Sequence, residues 1–203
     1  MQKLNKRSGS SLFLMEMILS ILILALACTA CIRIFAAAGT DRRKARELNH
    51  IQTLTVSAGE ILEKIENFDG VVLFTRDTHE TYYLDTQEGK KLPVPHCIRD
   101  TEGWQIRSEL DALRKTVPID KETFGSTDLA GELVAMNEDN EIESITFVGL
   151  CTDICVISNA LLAKASLPEV PIIVDAKCCA GVTPESHENA LKAMEACQIQ
   201  IDR

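Results

Sequence analysis

The sequence predicts an α/β domain with a parallel sheet covered by helices, preceded by one long apolar helix. Short apolar runs that fit buried strands alternate with longer segments of helical periodicity, the pattern of a sheet with helices on both faces. The clearest unit is Ile145–Leu150, a strand closed by glycine and leucine, followed by an apolar helix over residues 155–162. The long helix is predicted from Leu12–Phe35, where the chain is almost continuously apolar.

The N-terminal third predicts a membrane anchor. Leu12–Phe35 contains only two charged residues, Glu16 and Arg33, and is longer than the ~20 residues that a bilayer-spanning helix needs. A cleavable signal peptide and a buried core helix are the alternatives. The basic residues before the run, together with Glu16 near its start, resemble the N-terminus of type IV pilin-like proteins. Because helical spacing continues to about Glu66, we predict a pilin-like membrane helix and stalk over 1–66 and a second domain over 67–203.

The overall charge argues against nucleic acid as a partner. The formal net charge is −9 and the pI is about 5.0, so the chain lacks the positive surface that phosphate backbones or anionic lipid headgroups attract. Its eight cysteines show no regular disulfide spacing, which predicts a reduced domain of the cytoplasmic type. The protein is expected to be membrane-anchored if the N-terminal helix is retained. The sequence leaves open whether the chain forms a homo-oligomer.

Cys155 is the candidate nucleophile because of its place in the predicted fold. It lies where the strand Ile145–Leu150 turns into a helix, and Thr152 and Asp153 supply residues suited to an N-cap. Unpaired N–H groups and the helix dipole at such a position stabilise a thiolate and can hold an oxyanion. The alternative is that Cys155 is a small buried packing residue.

A second cluster of polar residues is typical of a metal site. Asp77 and His79 end a strand predicted over residues 71–76, and a spacing of two places both side chains on one face of an extended chain. Glu88 and His96 follow in a proline-containing loop. Carboxylate and imidazole ligands of this kind suit zinc, iron or manganese with positions left open for water and substrate. The alternative is a solvated acidic loop with two surface histidines.

The remaining elements are predicted from local patterns. We expect strands over residues 117–121 and 171–175 and a short helix over 106–113. A longer helix should begin at Ser126 or Thr127, and a last helix near Pro184, with Ala190, Leu191, Met194 and Cys197 as its apolar stripe. Cys178 and Cys179 are expected to be packing residues.

Four ordered sequence blocks resemble the nicotinamidase branch of the isochorismatase-like cysteine hydrolases. They are FTRDTH at 74–79, LPVPHC at 92–97, GLCTDICV at 149–156 and DAKCCAGV at 175–182. The resemblance extends from about Lys64 to the C-terminus. It implies a three-layer αβα fold with a parallel sheet, and an amidohydrolase that converts nicotinamide to nicotinate and ammonia through a cysteine thioester.

The resemblance also implies a role for each candidate residue. Cys155 would be the nucleophile, and the backbone N–H groups of Cys151 and Cys155 would form the oxyanion hole. Lys121 would favour the thiolate through its positive charge, which is the ordinary effect of a neighbouring cation on a thiol. Phe124 would form a wall for an aromatic substrate. A divalent metal, zinc first with iron or manganese as alternatives, would be held by Asp77, His79, Glu88 and His96 and would bind the pyridine nitrogen and water.

One part of the family pattern is missing from this sequence. The resembled enzymes carry a catalytic aspartate on a first strand of the type D-x-Q-x-D-F, whereas here the corresponding span is the apolar helix and its basic continuation. We therefore predict a sheet without its usual first strand, and turnover at least ~10²–10⁴-fold below that of an intact relative. The alternative function is a membrane-anchored pilin-like structural protein with an inactive hydrolase remnant.

Overall fold

The computed structural model of this chain describes residues 59–203, together with Met15 and Met17. Its contacts divide the chain into two units, Met1–Asn49 and His50–Arg203. Met15 and Met17 are helical and exposed. Apart from these two residues, the predicted membrane helix lies outside the described residues, as does most of the predicted stalk. In the described part of the chain, no helix combines the length and apolar character needed to span a bilayer.

The second unit contains parallel strands, which confirms the predicted α/β class. The described strands are β1 (Thr75–Asp77), β2 (Ile119–Lys121), β3 (Ile145–Leu150), β4 (Ile172–Ala180) and β5 (Gln200–Asp202). All pairings are parallel and form two sheets, β1–β2 and β3–β4–β5. Among the described residues, no strand pairing joins these two sheets.

Helices follow most of the strands, and three of the described helices begin with a side-chain cap. They are α1 (described over residues 59–66), α2 (Gln87–Lys91), α3 (Ser108–Asp111), α4 (Thr127–Asp139), α5 (Ile157–Ser166) and α6 (Pro184–Ala196). The Ser126 side chain caps α4, and Thr183 and Ser186 form a reciprocal capping box at the start of α6. The predicted starts of these two helices are confirmed.

Several predicted boundaries are wrong. The strand expected over residues 71–76 begins only at Thr75, and Val71 is 63% exposed, so this apolar run is not buried as a strand. The strand expected to stop at Asp175 continues to Ala180, because the chain bulges at 175–178 and then pairs again with β3. The helix over 106–113 shrinks to Ser108–Asp111. Cys197 is an exposed C-cap rather than part of the buried stripe of α6.

The core lies between the β3–β4–β5 sheet and helices α4, α5 and α6. Its fully buried members include Ala160 on α5, Val174 on β4, and Leu191 and Met194 on α6. Burying a side chain of this size stabilises a fold by roughly 1.5–3 kcal/mol relative to leaving it exposed. Cys178 and Cys179 are also buried, which confirms them as packing residues. The site described next lies at the carboxyl ends of β1, β2 and β3, where this core supports it.

Candidate functional site

The candidate nucleophile lies in a π-helical turn, Thr152–Val156, between β3 and α5. Turns of this kind are rare and occur often at functional sites. The strand before it shifts register against β4 at Gly149, whose φ of 126° favours glycine. The expected N-cap residues have other partners. Thr152 is fully buried with Oγ1 2.8 Å from His187 Nδ1, and Asp153 Oδ1 accepts a 3.0 Å hydrogen bond from the Val182 amide.

Cys155 lies beside a buried ammonium group. Its Sγ is 3.5 Å from Lys121 Nζ, which also donates to Asp77 Oδ1 at 2.8 Å. The Lys121 side chain is only 3% exposed. Burial lowers the pKa of Lys121, but its hydrogen bond to Asp77 and the negative charges of Cys155 and Asp77 raise that pKa by more, above the ordinary lysine value. Lys121 is therefore an ammonium at neutral pH, and it connects β1, β2 and the turn after β3.

At the other buried or half-buried thiols of the described region, burial outweighs the effect of any nearby lysine on the thiol pKa. Burial raises the pKa of Cys97 and of Cys151, and it raises the pKa of Cys178 to about 11 and that of Cys179 to about 12. A thiol with a raised pKa stays protonated at neutral pH and is a poor nucleophile. Cys155, by contrast, has its Sγ in hydrogen-bonding contact with the Lys121 ammonium group.

A buried asparagine that sequence reasoning missed ties the nucleophile turn to the candidate substrate wall. Asn159 Nδ2 donates to the carbonyl oxygens of Cys155 at 2.8 Å and Phe124 at 3.1 Å, and its Oδ1 accepts from the Ser126 amide at 2.8 Å. Phe124, with 43% of its surface exposed, is thereby held on the loop between β2 and α4. The available signal was a lone polar amide four residues after Cys155 in an otherwise apolar helix.

The predicted metal ligands converge at the carboxyl end of β1. Ligand atoms of Asp77, His79 and His96 all lie within 4.8 Å of one another. Asp77 Oδ2 is 3.4 Å from His79 Nε2 and 3.7 Å from His96 Nε2. Glu88, which lies on α2 rather than in the expected loop, places Oε1 3.7 and 3.8 Å from the same two nitrogens. The structure thus brings all four predicted ligands together.

The geometry of this cluster fits a divalent cation. His79 Nε2 is buried without a hydrogen-bond partner among the described residues, and such an orphaned polar atom is rare without an unseen ligand. Ligands ~2.1 Å from a tetrahedral metal stand about 3.4 Å from one another, close to the separations here. His96 Nδ1 lies 2.9 Å from the Val94 carbonyl, so it carries the proton and leaves Nε2 free to bind a metal.

A network on the opposite face of β1 and β2 supports the ligand strand. Trp104 Nε1 donates at 2.9 Å to the hydroxyl of Thr78, which is fully buried between the two ligands that flank it. The Arg76 guanidinium lies 3.4 Å from the centre of the Trp104 ring and pairs with Asp120 at 2.7 Å. Trp104 is therefore a packing residue behind the ligand strand.

Comparison with known proteins finds one matching family model and several solved structures with a similar fold. A family model for the isochorismatase domain matches residues 33–202, beginning well before Lys64. No curated protein sequence matches the chain. A nicotinamidase/pyrazinamidase from Bacillus subtilis has a crystal structure similar to this one, with 28% identity, a TM-score of 0.57, and coverage of 73% of this chain and 82% of that one.

Two further crystal structures share the fold at lower identity. Pyrazinamidase from Pyrococcus horikoshii, solved in complex with zinc, has 21% identity and a TM-score of 0.57, covering 76% of this chain and 86% of its own. N-carbamoylsarcosine amidase from Thermoplasma acidophilum has 21% identity and a TM-score of 0.57, covering 75% and 84%. At this level of identity the similarity concerns the fold.

Proposed function

This chain belongs to the isochorismatase domain family, and from that premise we propose that it is a nicotinamidase-like cysteine hydrolase, converting nicotinamide to nicotinate and ammonia. The observation that carries the proposal is the contact between Cys155 Sγ and the buried Lys121 ammonium at 3.5 Å, beside a cluster of four metal-ligating side chains. A thiolate next to a fixed cation is the activated nucleophile that acyl transfer from an amide requires.

The proposed reaction uses the described residues in two steps. The Cys155 thiolate attacks the amide carbon, with the backbone N–H groups of Cys151 and Cys155 stabilising the oxyanion, and ammonia leaves once its nitrogen has gained a proton from solvent. Water then attacks the nicotinoyl thioester, which releases nicotinate, returns two protons to solvent and restores the thiolate. Lys121 remains an ammonium throughout, since its pKa is raised, and it stabilises the sulfur anion at the start and end of the cycle.

Substrate binding is assigned to Phe124 and to the ligand cluster. The Phe124 ring offers an apolar wall for a pyridine ring, and the Asn159 hydrogen bond fixes its backbone relative to Cys155. Asp77, His79, Glu88 and His96 would hold a divalent cation, with zinc favoured by the two imidazoles and iron or manganese as alternatives. Such a cation supplies a Lewis-acidic position for the pyridine nitrogen.

We further propose that turnover is slow, because the part of the chain that the structure describes supplies no separate general acid/base beside Cys155 and Lys121. Asp77 is the one carboxylate hydrogen-bonded to Lys121 among the described residues, and its other oxygen faces the ligand cluster. Within the described residues no strand joins the two sheets, which supports the proposal for that part of the chain; residues 33–58, which the family model also matches, lie outside it. The same observations also fit the inactive hydrolase remnant of the alternative function, whose membrane-anchored pilin-like segment falls almost entirely outside the described residues.

Two measurements on the full-length, zinc-loaded protein separate these functions. Ammonia release from nicotinamide should be detectable and at least ~10²-fold below that of the Bacillus subtilis nicotinamidase. Mass spectrometry after acid quenching should find a nicotinoyl thioester on Cys155. Cys155→Ala should abolish both signals, and Cys197→Ser, which alters an exposed thiol, should leave them unchanged. Absence of both signals from the wild-type protein would leave the inactive remnant as the better description.

A further inference from the structure

We propose that Tyr83 is the positioning residue of the cation cluster, because it contacts the segments that carry three of the four ligands. The inference rests on the cation site proposed above, although not on the hydrolytic reaction. Tyr83 follows β1 in a short 3₁₀ turn, Tyr83–Asp85, and at 1% exposure it is the largest fully buried side chain of the described region. Sequence reasoning assigned it no role.

The tyrosine ring packs against both imidazoles. Its centre is 4.6 Å from that of His79, with the planes inclined at 51°, and 5.0 Å from that of His96, at 80°. The two imidazoles are themselves 4.8 Å apart at 70°. The three rings form a closed triangle of tilted and edge-to-face contacts, the arrangement that aromatic quadrupoles favour. Rotation of either imidazole away from the cluster would therefore break a contact with Tyr83.

The tyrosine hydroxyl fixes the loop that presents His96. It donates to the Leu92 carbonyl at 3.0 Å, and the Val94 amide donates to the same oxygen at 2.7 Å. The Val94 carbonyl in turn lies 2.9 Å from His96 Nδ1. This chain of hydrogen bonds runs from the Tyr83 hydroxyl to the imidazole and orients the Nε2 lone pair towards the cluster, the function of outer partners in metal sites.

The backbone carbonyl of Tyr83 fixes the third ligand, Glu88. It accepts from the Thr86 amide at 3.0 Å and from the Thr86 hydroxyl at 2.7 Å, and that hydroxyl caps α2 by accepting from the Gly89 amide at 3.0 Å. Helix α2 lies so close that a Cβ on Gly89 would stand 2.0 Å from the Tyr83 carbonyl oxygen. Glycine is therefore required beside Glu88. This close packing of α2 fixes the position of the Glu88 carboxylate relative to the two imidazoles.

Three variants of the full-length protein test this assignment by metal binding, without substrate. Tyr83→Phe removes the hydroxyl and keeps the ring, whereas Tyr83→Leu removes both. Tyr82→Phe is the matched control, since Tyr82 is the preceding residue and is 61% exposed. The dissociation constant for zinc is measured by competition with a chromophoric chelator, and the ligand field is read from the visible absorption of the cobalt(II) form. Melting temperatures of the metal-free proteins report general damage to the fold.

We expect the dissociation constant for zinc to rise by about tenfold in Tyr83→Phe and by up to about 100-fold in Tyr83→Leu. The cobalt(II) absorption bands should change in both variants. Tyr82→Phe should show neither change. If Tyr83→Leu does not fold, Tyr83→Phe alone decides. Wild-type zinc affinity and an unchanged cobalt(II) spectrum in Tyr83→Phe would overturn the inference, as would a wild-type protein that binds no cation. Failure to hydrolyse nicotinamide would contradict the proposed function and leave this result standing.

Discussion

Replacing Lys121 by methionine tests the feature on which the proposed function depends. Methionine keeps most of the length and volume of the side chain but removes the ammonium that lies 3.5 Å from Cys155 Sγ and 2.8 Å from Asp77 Oδ1. The residue is nearly fully buried, so water cannot replace the lost charge at the same position. The expected result is a much less reactive Cys155 thiol in a protein that keeps its core.

The size of the effect follows from the distance. Opposite unit charges 3.5 Å apart attract by about 5 kcal/mol at an effective dielectric constant of about 20, which is an upper bound because Asp77 neutralises part of the lysine charge. Taking roughly half, about 2–3 kcal/mol of thiolate stabilisation is lost. At about 1.4 kcal/mol per factor of ten, alkylation of Cys155 should slow by about 30- to 150-fold.

The assay measures alkylation by iodoacetamide at pH 7, with each cysteine quantified by peptide mass spectrometry. Exposed Cys197 in the same sample is the internal reference, because its labelling should not depend on Lys121. Lys192→Met removes an equal charge from the exposed surface of α6 and serves as the matched variant. Circular dichroism confirms that the fold persists. If Lys121→Met alkylates within about threefold of the wild-type rate, the ammonium does not activate Cys155 and our account of the nucleophile is wrong.

Two further predictions concern stability. Burial raises the pKa of Asp175, but its hydrogen bonds from Lys64 and the Cys178 amide lower that pKa by more. Asp175→Asn should therefore lower the free energy of unfolding by about 1.5–3 kcal/mol at pH 7. This deficit should shrink as the pH falls below about 4, where the wild-type carboxylate becomes protonated. Urea unfolding at both pH values measures this, and a deficit independent of pH would contradict it. Burial lowers the pKa of His187 by more than the charges of Glu188 and Asp153 raise it. The imidazole therefore binds a proton more readily in the unfolded chain than in the folded one, and the free energy of unfolding should fall as the pH drops below about 6.5. His187→Gln should flatten that dependence in thermal melts between pH 5 and 8, and equal slopes in both proteins would argue against it.

Local signals in the sequence predicted the elements that a short segment specifies by its own residues. The strand β3 is observed over Ile145–Leu150 as expected. A short apolar run that ends at a glycine is typical of a buried strand in a parallel sheet. The capped starts of α4 and α6 depend on side chains within three residues of the cap, so they too were readable. The pairing of Asp77 and His79 required only the period of an extended chain.

Features that depend on distant residues could not be read from local pattern. Thr152 and Asp153 suited an N-cap, yet their partners lie 35 and 29 residues away, at His187 and Val182. The continuation of β4 beyond Asp175 depends on that side chain bonding the amides of a bulge and pairing with Lys64, 111 residues earlier. The approach of Lys121 to Cys155 was expected from family resemblance, since spacing alone places no lysine near a cysteine 34 residues on.

One carboxylate joins the two halves of the proposed site. Asp77 directs Oδ1 to Lys121 at 2.8 Å and Oδ2 to His79 and His96 at 3.4 and 3.7 Å. A cation held at Oδ2 would draw negative charge away from Oδ1, which would leave more of the lysine charge for a Cys155 thiolate. Linkage is reciprocal, so a thiolate that engages Lys121 more strongly also favours the cation at Asp77. The nucleophile and the ligand cluster are therefore one coupled unit, and because Asp77 already serves both, it is not available as the separate acid/base that fast turnover would require.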